Sequence, residues 1–166
     1  MFLFVAAIGA TVTAIFELTV GPFLRVGDAQ PHFVFIFAII WAVAAGFEGG
    51  LTWAFVGGLV LDVLAQRPLG SSSFALIICA GLAATSTRLF TRMRPIVVVP
   101  AITILSVAYS MILFVLQGAI GSPVASSDPA AMLLPGVAYD AVVGVIVGPL
   151  AVAVHDRYVV DERIDW

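Results

Sequence analysis

Long apolar blocks, separated by short breaks rich in glycine, proline or charge, fill the chain from Phe2 to about His155. A membrane-crossing helix needs about 20 predominantly apolar residues, with a range of roughly 17 to 25. By that measure the pattern predicts six spans at about 2–20, 31–47, 49–66, 71–90, 96–120 and 132–155. The second and third are separated only by Gly46-Phe47-Glu48-Gly49-Gly50. Read as one helix, the stretch would run about 54 Å at about 1.5 Å per residue, too long for a hydrocarbon core of about 30 Å. A tight helical hairpin with Glu48 at its tip is therefore predicted. The other breaks carry Gly21-Pro22, Pro68-Leu69-Gly70, Arg94-Pro95, and Pro123 with Pro129. The first block lacks a basic leading region and a following A-x-A site, so it reads as a retained span rather than a signal peptide.

Composition sharpens this into a class. Hydrophobic residues make up 62% of the 166 and charged residues 10%, against roughly 25% charged in a soluble domain. The reading is an all-α integral membrane protein, a single six-helix transmembrane domain spanning residues 1–166. The longest polar segments, 121–131 and 155–166, are too short to house a catalytic domain. Lysine is absent and all seven cations are arginines. Nothing resembles a nucleic-acid footprint. The single Cys79, inside an apolar run, reads as a small packing group. Six spans put both termini on one side, with Arg88, Arg92, Arg94, Arg157 and Arg163 against Arg25 and Arg67 on the other. The positive-inside rule then predicts cytoplasmic termini. Arg88, Arg92 and Arg94 form a basic edge suited to anionic lipid head groups, with a docking site for a cytoplasmic partner as the sharper alternative.

Polar positions inside the spans follow helical spacing. Gly50, Ala54, Gly58 and Asp62 share a face of the third span, Gly136, Asp140, Gly144 and Gly148 a face of the sixth, and Gly9, Thr13 and Glu17 a face of the first. Small residues at this spacing allow close helix approach, which matters where lipid provides no hydrophobic drive for association. Each track also carries an acid, and an intramembrane carboxylate is expensive. Thr103, Ser106, Ser110 and Gln117 fall on one side of the fifth span. Glu17, Asp62, Gln117 and Asp140 are thus predicted to converge on a partly hydrated cavity in the outer half of the bundle, with Arg67 or Arg25 as counter-ions. The plainer alternative is that each acid reaches the interface or caps a neighbouring backbone group.

Catalytic signatures are missing. No phosphate-binding glycine loop, H-E-x-x-H or G-x-S-x-G pattern occurs. His32 and His155 fall on opposite faces in this topology, and His32 with Asp28 is too small a ligand set, so no metal and no cofactor are predicted. Ser71-Ser72-Ser73 read as N-terminal caps of the fourth span.

The six-span layout, Gly57-Gly58-Leu59-Val60-Leu61-Asp62, the turn Arg67-Pro68-Leu69-Gly70, and Ala138-Tyr139-Asp140 with Pro149 resemble the bacterial rod shape-determining protein MreD family. Asp140 stands where that family often has Asn. The resemblance implies a non-enzymatic inner-membrane subunit of the cell-elongation machinery. It would bind MreC, a single-span partner with a periplasmic domain, and through it connect to MreB, RodA and a penicillin-binding transpeptidase. The resemblance also implies a fold like the S-components of energy-coupling-factor transporters.

Two functions follow. In the first, the protein is a scaffold supporting cell shape and peptidoglycan synthesis, with Gly57, Gly58, Asp62, Arg67, Pro68, Leu69 and Gly70 as its partner-binding or structural motif. In the second, it is a solute-binding transporter subunit holding a small polar ligand on the four polar residues. Ala6, Ala10 and Ala14 would then give an alanine track of the kind S-components use for docking.

Overall fold

The computed structural model describes residues 2–25, 29–89, 94–119 and 129–159. Asp28, Arg92, Arg163, the segment 120–128 and the tail beyond Val159 lie outside the described residues, as do the side chains of Arg88, Arg94 and Arg157. The elements are α1 (Phe2–Val20), a 3-10 turn (Gly21–Leu24), α2 (Phe33–Ala45), α3 (Phe47–Leu64), α4 (Ser71–Leu89), α5 (Arg94–Ala119) and α6 (Pro129–Val159). Leu3–Leu24, Phe47–Leu64, Val98–Ala119 and Leu133–Val154 are long and apolar enough to cross a membrane, whereas Phe33–Ala45 and Ser71–Ser86 are apolar but shorter. The 13 residues of α2 reach only about 20 Å at about 1.5 Å per residue.

That short helix is the centre of the bundle. It packs against all five others, and Val34, Phe35, Ile36, Ala38, Ile39, Ile40, Ala42, Val43 and Ala44 are all buried. A helix apolar all round is one buried all round. Aromatic rings fill the space beside it: Phe35 stacks on Tyr109 of α5 with centroids 5.0 Å apart, and Trp53 of α3 lies between Phe37 and Trp41, at 6.1 and 5.1 Å.

The chain reverses between α2 and α3 at one residue, Gly46, whose φ of +84° and ψ of −167° suit only glycine. The predicted hairpin is present, with its pivot at Gly46; Glu48 lies in the first turn of α3 and is exposed. The two helices then run antiparallel in near contact: a Cβ added at Gly50 would stand 2.6 Å from the Cα of Ala42, and one at Gly57 would stand 2.7 Å from Val34 Cγ1. The α3–α4 pair is closer still. A Cβ at Gly58 would meet both the amide nitrogen and the Cα of Ser73 at 2.5 Å. On α6, added Cβ atoms at Gly144 and Gly148 would meet Ile102 at 2.9 Å and Val98 at 3.1 Å, so the small-residue track is the seat of α5.

These glycines face other helices of the same chain. The alanine track does likewise. Ala6, Ala10 and Ala14 are fully buried, with Ala10 Cβ 3.4 Å from where a Gly57 Cβ would stand. They pack α1 against the bundle and are not available to dock a transporter partner. The opposite face of α1, with Phe4, Ile8, Val12 and Ile15, is the exposed one.

Backbone atoms cannot yield as a side chain can. Gly58→Ala is expected to destabilise the purified protein by about 1–3 kcal/mol. Gly81→Ala, on α4 with nothing within 4 Å of the new Cβ, should be neutral or gain up to about 1 kcal/mol from helix propensity. Thermal unfolding midpoints in detergent check both.

Candidate functional site

Every helix start exposes amides with no intrahelical acceptor. Sinking such a start among other helices requires acceptors from elsewhere. α2 follows Gln30-Pro31-His32 with no Ser, Thr, Asp or Asn at its cap, and the side chain of its cap residue, His32, makes no bond to the amides of the helix start. Two other helices supply what is missing. The Val34 amide donates to Glu17 Oε2 of α1 (2.7 Å), and the His32 amide donates to Asp140 Oδ1 of α6 (2.8 Å). The second oxygen of Asp140 accepts from the Ser106 hydroxyl of α5 (2.5 Å) and lies 3.0 Å from Nδ1 of His32. The His32 ring in turn meets Tyr109 edge-on, with centroids 5.5 Å apart.

α4 repeats the arrangement. The Asp62 carboxylate of α3 accepts from the Gly70 amide (2.8 Å), from the Ser72 amide with both oxygens (3.1 Å each) and from the Ser71 hydroxyl (3.1 Å). The intervening chain folds tightly enough to allow this. Gln66 adopts a left-handed φ of +54°, the Arg67 amide donates to the Asp62 carbonyl (2.9 Å), and Gly70 has φ +91°. Ser73 donates instead to the carbonyl of Phe55 (3.2 Å), tying α4 to the middle of α3. The three-serine cap read from sequence is thus only part of the device: Asp62 is the acceptor, and Ser71 donates to it.

Glu17, Asp62 and Asp140 are all buried, at 4%, 0% and 0% exposure. They stand near the end of the bundle where α1, α3 and α5 finish and α2, α4 and α6 begin. At that end lies a cavity of about 200 Å³. Arg25, Gln30, His32, Arg67, Ser110 and Gln117 form its polar wall, with Leu113, Phe114 and Leu133 beside them. Of the four residues grouped in the predicted cavity, Gln117 is on the wall. The three acids are not, because each carboxyl is turned onto a helix start. Arg67 and Arg25 do reach the cavity, and among the described residues neither makes an ion-pair contact with those acids. The Tyr139 hydroxyl donates to the Leu24 carbonyl (2.9 Å), joining α6 to the 3-10 turn.

A family model described as rod shape-determining protein MreD matches residues 1–153. The chain belongs to the MreD family. No curated protein and no solved structure matches it. As an MreD-family chain it is a rod shape-determining protein of the membrane, and its motif residues can now be placed. Gly57 and Gly58 are buried at helix contacts, Asp62 caps α4, Arg67 is half-buried at the cavity, Pro68 and Gly70 shape the turn, and Leu69 projects from it with 72% of its surface exposed.

Sequence reasoning missed His32 and Tyr109. It weighed His32 as a metal ligand, whereas the imidazole is held against Asp140. The signal was there in negative form: an apolar helix with no cap residue of its own must borrow an acceptor.

Removing a borrowed acceptor leaves several buried donors unpaired, each costing about 1–3 kcal/mol. Asp140→Leu should therefore greatly reduce the folded, monodisperse fraction on size exclusion. Asp140→Asn, which keeps an acceptor for the His32 amide, should retain most of it. For Asp62→Leu the same loss is expected, through the start of α4.

Proposed function

We propose that this MreD-family protein is a non-enzymatic scaffold of the elongation complex in the bacterial inner membrane. It binds an MreC-type single-span partner and, through it, supports peptidoglycan synthesis by connecting to MreB, RodA and a penicillin-binding transpeptidase. The observation carrying this reading is the family match over residues 1–153. All six helices cross the membrane in this reading, α2 and α4 with their starts drawn below the surface. Both termini face the cytoplasm, and the arrangement follows that of transporter S-components.

In this reading the partner contact lies away from the buried glycine motif. Gly57 and Gly58 are consumed by contacts with Val34 and Ser73. What remains outside is Leu69 at the turn, continuing an exposed apolar row of Phe55, Leu59 and Val63 at four-residue spacing along α3. A transmembrane partner helix gains van der Waals contact along such a row, and Leu69 would meet the partner where it leaves the membrane.

Leu69→Glu places a charge on an exposed position and leaves the internal packing intact. It should reduce co-purification with a co-expressed MreC-type partner by about tenfold, consistent with losing an apolar anchor worth about 1.5–3 kcal/mol. The variant's own unfolding midpoint should stay near that of the parent protein. Undiminished co-purification of Leu69→Glu, and of Phe55→Glu in the exposed row of α3, would count against this surface as the partner contact.

A further inference from the structure

We propose that the cavity at the α2–α4–α6 end binds a phosphate-type oxyanion between the guanidinium groups of Arg25 and Arg67. The inference adds a ligand to the scaffold reading and stands independently of the partner contact. It begins with the charge on the wall. Among the described residues, two arginines line one cavity of about 200 Å³ and no carboxylate does. The acids nearest to it are already engaged: Asp140 with His32 and Ser106, Glu17 with Val34, Asp62 with the start of α4. Among the described residues, the ion-pair contact is that of His32 with Asp140, and neither arginine has a carboxylate partner.

Arg67 is anchored through its backbone, whereas Arg25 is an exposed side chain that reaches the cavity from the 3-10 turn. Arg67 follows the left-handed Gln66, and its amide is fixed on the Asp62 carbonyl at 2.9 Å. Arg25 has one guanidinium nitrogen 3.4 Å from the Gln30 side-chain oxygen, which leaves most of its five donors unused. Neutral donors complete the wall, the Ser110 hydroxyl and the Gln117 amide. Guanidinium groups match the oxygens of a phosphate bidentately, and such bonds strengthen in a partly dehydrated site. The volume far exceeds the roughly 10–15 Å³ that one water needs. Leu113 and Leu133 would receive a short apolar portion beside the charged group. A soluble phosphate and a lipid phosphate headgroup share this chemistry.

The test uses the full chain in an uncharged maltoside detergent, following thermal unfolding with three additions: inorganic phosphate, dioctanoyl phosphatidate, and dioctanoylglycerol as the phosphate-free control. A ligand of the folded state raises the midpoint with dose. Stabilisation by both phosphate probes supports a site open to soluble ligands. Stabilisation by phosphatidate alone supports a lipid headgroup site. In either case Arg67→Gln and Arg25→Gln should weaken the apparent affinity by about tenfold or more, as expected for losing a charged hydrogen-bonding partner. Arg88→Gln, at the far end of α4, should not. Should Arg67→Gln fold poorly, Gln117→Leu, which keeps both guanidinium groups and removes a neutral donor, is read in its place and should also weaken binding. No stabilisation by either phosphate probe, equal stabilisation by dioctanoylglycerol, or unchanged affinity in the arginine variants would overturn the proposal.

Discussion

Unsatisfied amides at the starts of α2 and α4 set the terms for the whole bundle. Both helices begin among other helices, where water cannot be relied on to complete their hydrogen bonding, and an orphaned buried amide costs about as much as a lost hydrogen bond. Three carboxyl groups, borrowed from α1, α3 and α6, meet that demand. Each also sets carboxyl oxygens at the positive end of a helix, where the helix dipole favours an acceptor. The acids therefore do two jobs at once. They make a shortened, sunken helix affordable, and they fix which helices must be neighbours.

Glycines then determine how near those neighbours stand. Capping by Asp62 requires the first turn of α4 to lie against the last turn of α3, and Gly58 is what lets the Ser73 backbone come within reach. The same coupling recurs across α5 and α6. Asp140 sits in register with Ser106, while Gly144 and Gly148 seat Ile102 and Val98 one and two turns further along the antiparallel pair. A substitution at a glycine and one at its acid should therefore not be independent, since both act on the same interhelical distance.

The sequence carried much of this, and the limits have physical causes. Six helices, the hairpin between α2 and α3, and the inward tracks on α3 and α6 were legible because helical periodicity and glycine spacing are local signals. The family was legible from the glycine run and the turn that follows it. What spacing could not provide was direction across the bundle. Glu17, Asp62, Gln117 and Asp140 do gather toward one end, yet a side chain at the right depth can turn either to a cavity or to a backbone amide. That choice depends on where α2 and α4 begin relative to their neighbours, which is a tertiary fact. The alanine track of α1 misled for a related reason: three alanines at four-residue spacing suit an internal face and an external dock equally well, and only the burial of Ala6, Ala10 and Ala14 separates the two.

Committing the acids to helix starts has an electrostatic consequence at the cavity. Had Glu17, Asp62 and Asp140 lined it, Arg25 and Arg67 would have been neutralised within the chain, and the space would hold little beyond water. With the carboxyl groups turned into the bundle, the guanidinium groups remain on the wall beside uncharged donors and a short apolar strip. Placing two like charges around one cavity is unfavourable unless an anion or water offsets them. The same hydrogen bonds that close the bundle around α2 and α4 thereby keep three carboxyl groups off the cavity wall, so the fold's internal economy of acceptors decides which polar groups that wall presents among the described residues.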